Sequence, residues 1–98
     1  EMPDETEMMN KILAKLRYPD NAKDAGTEGI VYVCFVIEKD GSITNVKAKN
    51  EIDGIGGKDL VKNAEIAVRS LGRVTPAKQN GTPARLERTL PISFVLSE

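Results

Sequence analysis

Residues 29–37, GIVYVCFVI, read as a β-strand before anything else in the chain is considered. The run is dominated by β-branched and aromatic residues, which fit a pleated surface better than a helix. Asp40-Gly41 follows at once, and glycine accepts the positive φ that a type I′ hairpin turn demands. Residues 42–49, SITNVKAK, are then the antiparallel return strand. Alternation puts Val31, Val33, Phe35 and Ile37 on one face of the first strand and Ile30, Tyr32, Cys34 and Val36 on the other. A sheet covered by helices on one side needs a single apolar face. The second apolar set is therefore either covered by another element or exposed for contact. Ile30, Tyr32 and Val36 are the residues a dimer surface would use.

The flanking segments supply helices and one more strand. Asp4 with Glu7 resembles a capping box, and Met8, Met9, Ile12, Leu13 and Leu16 recur at helical spacing behind it, an expected core stripe. Pro19 ends that helix. Residues 20–26 suit one helical turn closed by Gly26. A second helix is expected over 58–71, with Leu60, Ala64, Ala67, Val68 and Leu71 buried and Gly72 beyond its end. Residues 73–84, with Pro76, Gly81 and Pro83, read as a loop. The last strand runs from Arg85 to Leu96 and places Leu86, Leu90, Ile92, Phe94 and Leu96 on one parity, with Arg88 interrupting the set. Pro91 has no N–H to give a ladder, so this strand belongs at a sheet edge or carries a bulge. The order helix-strand-strand-helix-strand predicts an α+β domain, two helices on a three-stranded antiparallel sheet. Its 98 residues make one domain with one thin core, and residues 1–5 are expected to be flexible.

Several chemistries are excluded. The chain has no His, which removes Ser-His-Asp and Cys-His arrangements and His-based zinc sites. The single cysteine, Cys34, can close no intrachain disulfide. No inward-facing carboxylate pair is evident, so no catalytic residue, cofactor or metal is expected. Asp53 and Asp59 flank the loop 51–57, EIDGIGG, where turn and helix-cap roles explain them better than weak cation binding. The glycines there lack phosphate-loop spacing, since Ile52 stands where the first glycine would be and Asp59 replaces Ser or Thr. A net charge of −1 gives no pull toward nucleic acid. The basic stretch Arg69, Arg73, Lys78, Arg85 and Arg88 is either a solvated face or an attraction for an acidic segment. No apolar run approaches the roughly 18 residues of a membrane span. The chain begins at Glu1 rather than Met, so it is expected to be a fragment, and a signal or anchor could stand upstream of it.

Taken in order, these residues resemble a known family. Tyr18-Pro19 with Ala22 and Gly26 is similar to a YP-x-x-A-x-x-x-G opening. Gly29, Val31, Val33, Phe35, Ile37 and Asp40-Gly41 match the next run, and Val46 the second strand. Pro76, Gly81 and Pro83, then Pro91, Ile92, Phe94 and Leu96, match the closing loop and strand. The set resembles the C-terminal domain of TonB, the periplasmic energy transducer of Gram-negative bacteria, from about Leu16 to Leu96. The hairpin and the helix ahead of Tyr18 look most like Bacteroidetes-type versions. Val74 stands where an aromatic is usual, Arg17 where some relatives have Gln, and the loop 51–57 is richer in glycine.

The resemblance implies a fold, a place and a job. The domain would sit in the periplasm at the end of a chain anchored in the inner membrane, where ion-driven motor proteins act on the missing N-terminal part. It would grip the TonB box, a short extended segment of TonB-dependent outer-membrane receptors, so that siderophores, vitamins or glycans can enter. An extended peptide can add to a sheet edge as a further strand. The expected docking edge is residues 85–95, with Arg85, Glu87, Thr89, Pro91, Ser93 and Val95 along it and Arg88 pairing with an acidic residue of the partner; the alternative for Arg88 is a solvated edge charge that blocks strand-to-strand aggregation. Arg17, Tyr18 and Pro19 would add side-chain contacts by analogy with the family's Tyr-Pro region; the alternative for Tyr18-Pro19 is a helix stop with a core tyrosine. Other roles for the same fold are an adaptor or sensor at the end of a membrane-bound signalling peptidase, or an oligomer, monomer and strand-exchanged dimer both being open.

Overall fold

The structure is a computed structural model and describes residues 5–96. Three helices, α1 (Glu5–Lys15), α2 (Asp20–Ala25) and α3 (Gly57–Arg69), accompany a sheet of β1 (Gly29–Ile37), β2 (Ile43–Ala48) and β5 (Leu86–Phe94). A separate hairpin is made by β3 (Ala77–Gln79) and β4 (Thr82–Ala84). The sheet order is β2-β1-β5, all antiparallel. The most apolar strand thus takes the centre, where both its ladders are occupied, and both other strands are edges. The expected α+β architecture is the one found.

The predicted parity of β1 sets the core. Val31, Val33, Phe35 and Ile37 are fully buried against Leu60, Ala64, Ala67 and Val68 of α3 and Met8 and Ile12 of α1. Leu90, Ile92 and Phe94 complete the layer from β5. Truncating a buried phenylalanine such as Phe35 to alanine costs about 3–5 kcal/mol, a large share of the roughly 5–15 kcal/mol that holds a domain. The opposite face of β1 is mixed. Ile30 and Tyr32 are exposed, Cys34 is half-buried, and Val36 is buried.

Three local expectations are corrected. The α1 stripe is narrower than its sequence pattern, because Met8 and Ile12 are buried while Leu13 is 52% exposed. Asp40-Gly41 does not form a type I′ turn, which would need positive φ at both residues. Gly41 alone has it (φ 87°), its N–H bonds to the Glu38 carbonyl at 2.8 Å, and Glu38 N–H bonds to Ser42 O at 2.8 Å. Lys39, Asp40 and Gly41 are therefore a three-residue loop ending in a left-handed glycine. A Cβ on Gly41 would lie 2.1 Å from the Val74 carbonyl oxygen. The stretch 73–84 is not all loop, since Asn80 (φ 54°) and Gly81 (φ 81°) turn the β3–β4 hairpin. Asn-Gly is a strong hairpin signal. Of the two options that Pro91 raised, edge or bulge, β5 takes the edge; its register with β1 runs unbroken from Gly29↔Phe94 to Ile37↔Leu86, and the sheet's bulge is not in it. The bulge lies in β2 instead, where Asn45 has φ 52° and the register shifts. The Asp4 cap and the flexibility expected of residues 1–5 lie outside the described residues, except that Glu5 opens α1.

The glycines of the loop 51–57 have a packing role. A Cβ on Gly57 would lie 1.9 Å from the Ile52 carbonyl oxygen, and one on Gly56 within 2.7 Å of the Ala22 backbone. Glycine lets the start of α3 close onto its own loop and onto α2. Asn21 Nδ2 of α2 donates to Asp59 Oδ2 at 2.9 Å across that contact.

Candidate functional site

The backbone of β5 decides what its outer edge can do. Tyr32 of β1 donates its N–H to Asn50 Oδ1 at 2.8 Å and accepts at its carbonyl from Lys49 N–H at 2.8 Å. Both groups therefore point away from β5. Its Cα partner on β5 is Pro91, so this pair exchanges no hydrogen bond, the register a proline requires. Alternation fixes the rest. Arg88, Leu90 and Ile92 bond inward to β1, while Glu87, Thr89 and Ser93 turn both N–H and carbonyl outward and Pro91 turns out its carbonyl alone. Among the described residues no other strand pairs with β5 on that side. Side chains follow the same parity: Glu87, Thr89, Pro91, Ser93 and Val95 are exposed.

The Tyr-Pro segment meets one end of this edge. An open groove of about 200 Å³ is lined by Leu13, Leu16, Arg17 and Tyr18 on one side and Ser93, Phe94 and Val95 on the other. The Tyr18 ring stands edge-on to Phe94, with centroids 5.5 Å apart and planes at 89°. Its hydroxyl donates to the Thr27 carbonyl. Burial, with the Glu28 carboxylate second, pushes the Tyr18 phenol above its ordinary pKa, so it stays a donor. Tyr18 is thus partly a packing residue, as one reading held, and partly a groove wall. Pro19 caps the start of α2 with extended backbone (φ −58°, ψ 140°). Arg17 is exposed at the rim. Leu13, assigned to the core by its spacing, lines this groove instead.

The arginines are placed differently from the expectation. Arg88 lies on the helix-facing parity and pairs with Glu5 of α1 at 3.0 Å, so an acid within the chain occupies it. Arg85 precedes β5 and its Nε bonds Glu38 Oε1 at 3.0 Å. Arg73 pairs with Asp40 at 3.6 Å. Much of the basic stretch thus answers carboxylates of the same chain. The Thr44 hydroxyl, donating at 2.5 Å, and then Arg85 hold Glu38 below the usual glutamate range. The Ser42 hydroxyl and N–H, and more weakly Arg73, do the same for Asp40.

The other edge is closed. Ala48 N–H of β2 points away from β1 and donates to Glu65 Oε2 of α3 at 2.8 Å. Val46 carbonyl accepts from Arg69 of α3 at 3.4 Å. Val74 N–H bonds to Gly41 O at 2.9 Å, and Arg73 bridges Ser42, covering the start of β2. Where β1 runs past β2, Asn50 stands in for a strand: its Nδ2 donates to Ile30 O at 2.8 Å while Oδ1 takes Tyr32 N–H. None of these residues was singled out for that role in the sequence, where nothing marks a helical Glu or Arg as facing a strand edge.

Comparison with known proteins fits this fold. No curated protein matches the chain. Among solved structures, the NMR solution structure of the Helicobacter pylori TonB C-terminal domain (residues 179–285) is 28% identical, with a TM-score of 0.72, covering 95% of this chain and 80% of that one. A shorter form of the same domain (residues 194–285) is 29% identical, with a TM-score of 0.70, covering 95% and 94%. The family profile described as "Gram-negative bacterial TonB protein C-terminal" matches residues 14–96. That match takes in the Tyr-Pro segment, both edges of the sheet and nearly all of the described chain, and the chain belongs to the TonB C-terminal family, non-catalytic binding modules of TonB-dependent transport.

Proposed function

We propose that this domain grips the TonB-box segment of outer-membrane receptors by strand addition along β5, in the periplasm, and transmits force to it from inner-membrane motor proteins through the part of the parent chain that precedes it. The observation that carries this reading is the contrast between the edges: the backbone groups of Glu87, Thr89 and Ser93 and the Pro91 carbonyl face outward beside an open groove, whereas β2 is covered. A strand laid there gains backbone hydrogen bonds, each with a net worth of about 0.5–1.5 kcal/mol, with little demand on peptide sequence. That suits one transducer serving several receptors. The residues proposed to meet the segment are Glu87, Thr89, Pro91, Ser93 and Val95 along the edge, Arg17, Tyr18 and Pro19 at the groove, and Arg85 at the far end. Arg88 would contribute to a partner by exchanging Glu5 for an acid of the segment.

The test is a titration of isotope-labelled domain with N-terminal peptides from outer-membrane receptors. Shifts concentrated at residues 85–95 and around Tyr18, with nuclear Overhauser contacts between peptide and β5 backbone protons, are expected. A well-folded domain that no such peptide perturbs would count against the transducer role and favour the adaptor role in an envelope signalling protein.

A further inference from the structure

We propose that α3 shuts the β2 edge, with Glu65 and Arg69 as positioning residues and Asn50 sealing the stub of β1, so that the domain takes an added strand on β5 alone and does not pair through β2 with a second copy of itself. This deepens the strand-addition reading and rests on it for the identity of the partner; the closed edge itself does not depend on it.

The argument is one of backbone accounting. An edge strand exposes N–H and carbonyl groups that any extended chain can pair with. Along β2 and just before it, three such groups spaced over the edge are occupied. Gly41 O is taken by Val74 N–H, Val46 O by Arg69 and Ala48 N–H by the Glu65 carboxylate. The Ala48 and Val46 bonds both have a charged partner, and the Ala48 bond is the shorter, at 2.8 Å against 3.4 Å. Asn45, with positive φ, adds a bulge between Gly41 and Val46 and breaks the flat register that an incoming strand needs. Ile30 O and Tyr32 N–H, left beyond the end of β2, are both satisfied by one side chain, Asn50, whose amide presents a donor and an acceptor as a peptide unit does. Glu65 and Arg69 lie four residues apart, which puts them on one face of α3, the face beside β2. A helix packed merely for burial does not require charged side chains to bond strand backbone. The arrangement also fits mechanical use. A domain with two open edges could bind two segments, or another copy, and share the load between them.

The test compares the parent domain with Glu65→Ala, the triple variant Asn50→Ala/Glu65→Ala/Arg69→Ala, and Glu65→Gln, which keeps an acceptor for Ala48. Sedimentation over a concentration series should show the triple variant self-associating at least about tenfold more tightly than the parent, with Glu65→Gln unchanged. Amide shifts on association should fall on residues 43–48. In the parent, Ala48 N–H should exchange slowly although it lies on an edge, a result that holds even if the triple variant fails to fold. A folded triple variant whose association is unchanged, or an Ala48 amide that exchanges as fast as a solvent-facing one, overturns the inference. If receptor peptides leave β5 of the parent untouched while the triple variant associates through β2, the partner reading falls and the closed edge stands.

Discussion

The two edges of this sheet carry similar backbone groups and are treated in opposite ways. The β2 edge is short, bulged at Asn45 and capped from α3 by Glu65 and Arg69. The β5 edge is regular over nine residues and is left to solvent along Glu87, Thr89 and Ser93. Its one built-in restraint is Pro91, which deletes a donor at the midpoint yet leaves its carbonyl outward. Proline on an edge discourages indiscriminate strand pairing. The difference teaches that an edge in a small domain is not available by default. Where a helix can reach, its side chains occupy the backbone; where binding is wanted, the edge stays regular and is merely moderated.

The largest effect expected from this comparison is a parity test on β5. Leu90→Pro removes an inward N–H and a fully buried leucine. Loss of the side chain alone costs about 2–5 kcal/mol, and a broken ladder bond adds to it, so chemical denaturation should find little folded protein. Thr89→Pro, one residue away, removes an outward N–H and should leave stability within about 1 kcal/mol of the parent. If both variants are equally destabilised, the assignment of outward and inward groups is wrong. Next in size is Glu65→Ala, which leaves Ala48 N–H without its charged acceptor and should cost about 1–3 kcal/mol in a urea titration. Glu65→Gln should recover part of that loss. A loss at Glu65 of nearly zero would mean that water replaces the carboxylate without cost. Smaller again is the effect of Thr89→Pro on binding. One lost donor should weaken peptide affinity by about 2- to 10-fold in calorimetry, with the β1–β2 amides unmoved.

The smallest effect is acid sensitivity at the loop that joins β1 to β2. Glu38 and Asp40 are both held below their ordinary values, by Thr44 and Arg85 and by Ser42 and Arg73. A depressed folded pKa means that the contribution is complete above the unfolded value and is lost as pH falls through the folded one. Protection of the amides at residues 38–44, taken relative to their intrinsic exchange rates, should therefore fall as pH drops below about 4, and Glu38→Gln should flatten the response. Because both carboxylates are solvent-accessible, salt should blunt it. Protection that stays level through the acid range would contradict these pairings.

Much of the fold was legible because it rests on local signals. The alternation in β1 named the core face residue by residue, and Pro91 named β5 as an edge. Gly26 and Gly72 both stand in the left-handed conformation expected beyond a helix end. The Asn80-Gly81 hairpin was legible in principle, but Pro76 and Pro83 on either side drew the reading to a loop. Leu13 shows the limit of helical spacing, which gives the direction of a stripe but not where the neighbouring layer ends. The outward parity of the last strand was legible too, since Glu87, Thr89, Pro91, Ser93 and Val95 are all exposed. Its groove was not visible, because it forms between α1 and the end of β5, segments some 80 residues apart. The capped edge was the least legible feature. Glu65, Arg69 and Asn50 look like ordinary surface residues until α3 is placed beside β2.

Residue-resolved hydrogen exchange, in the free domain and with a receptor N-terminal peptide, tests the central claim most directly. The account predicts that Glu87, Thr89 and Ser93 amides exchange rapidly in the free domain and slow strongly on binding, while Ala48 is protected in both states. Protection gained at residues 43–48, with Glu87, Thr89 and Ser93 unchanged, would contradict it.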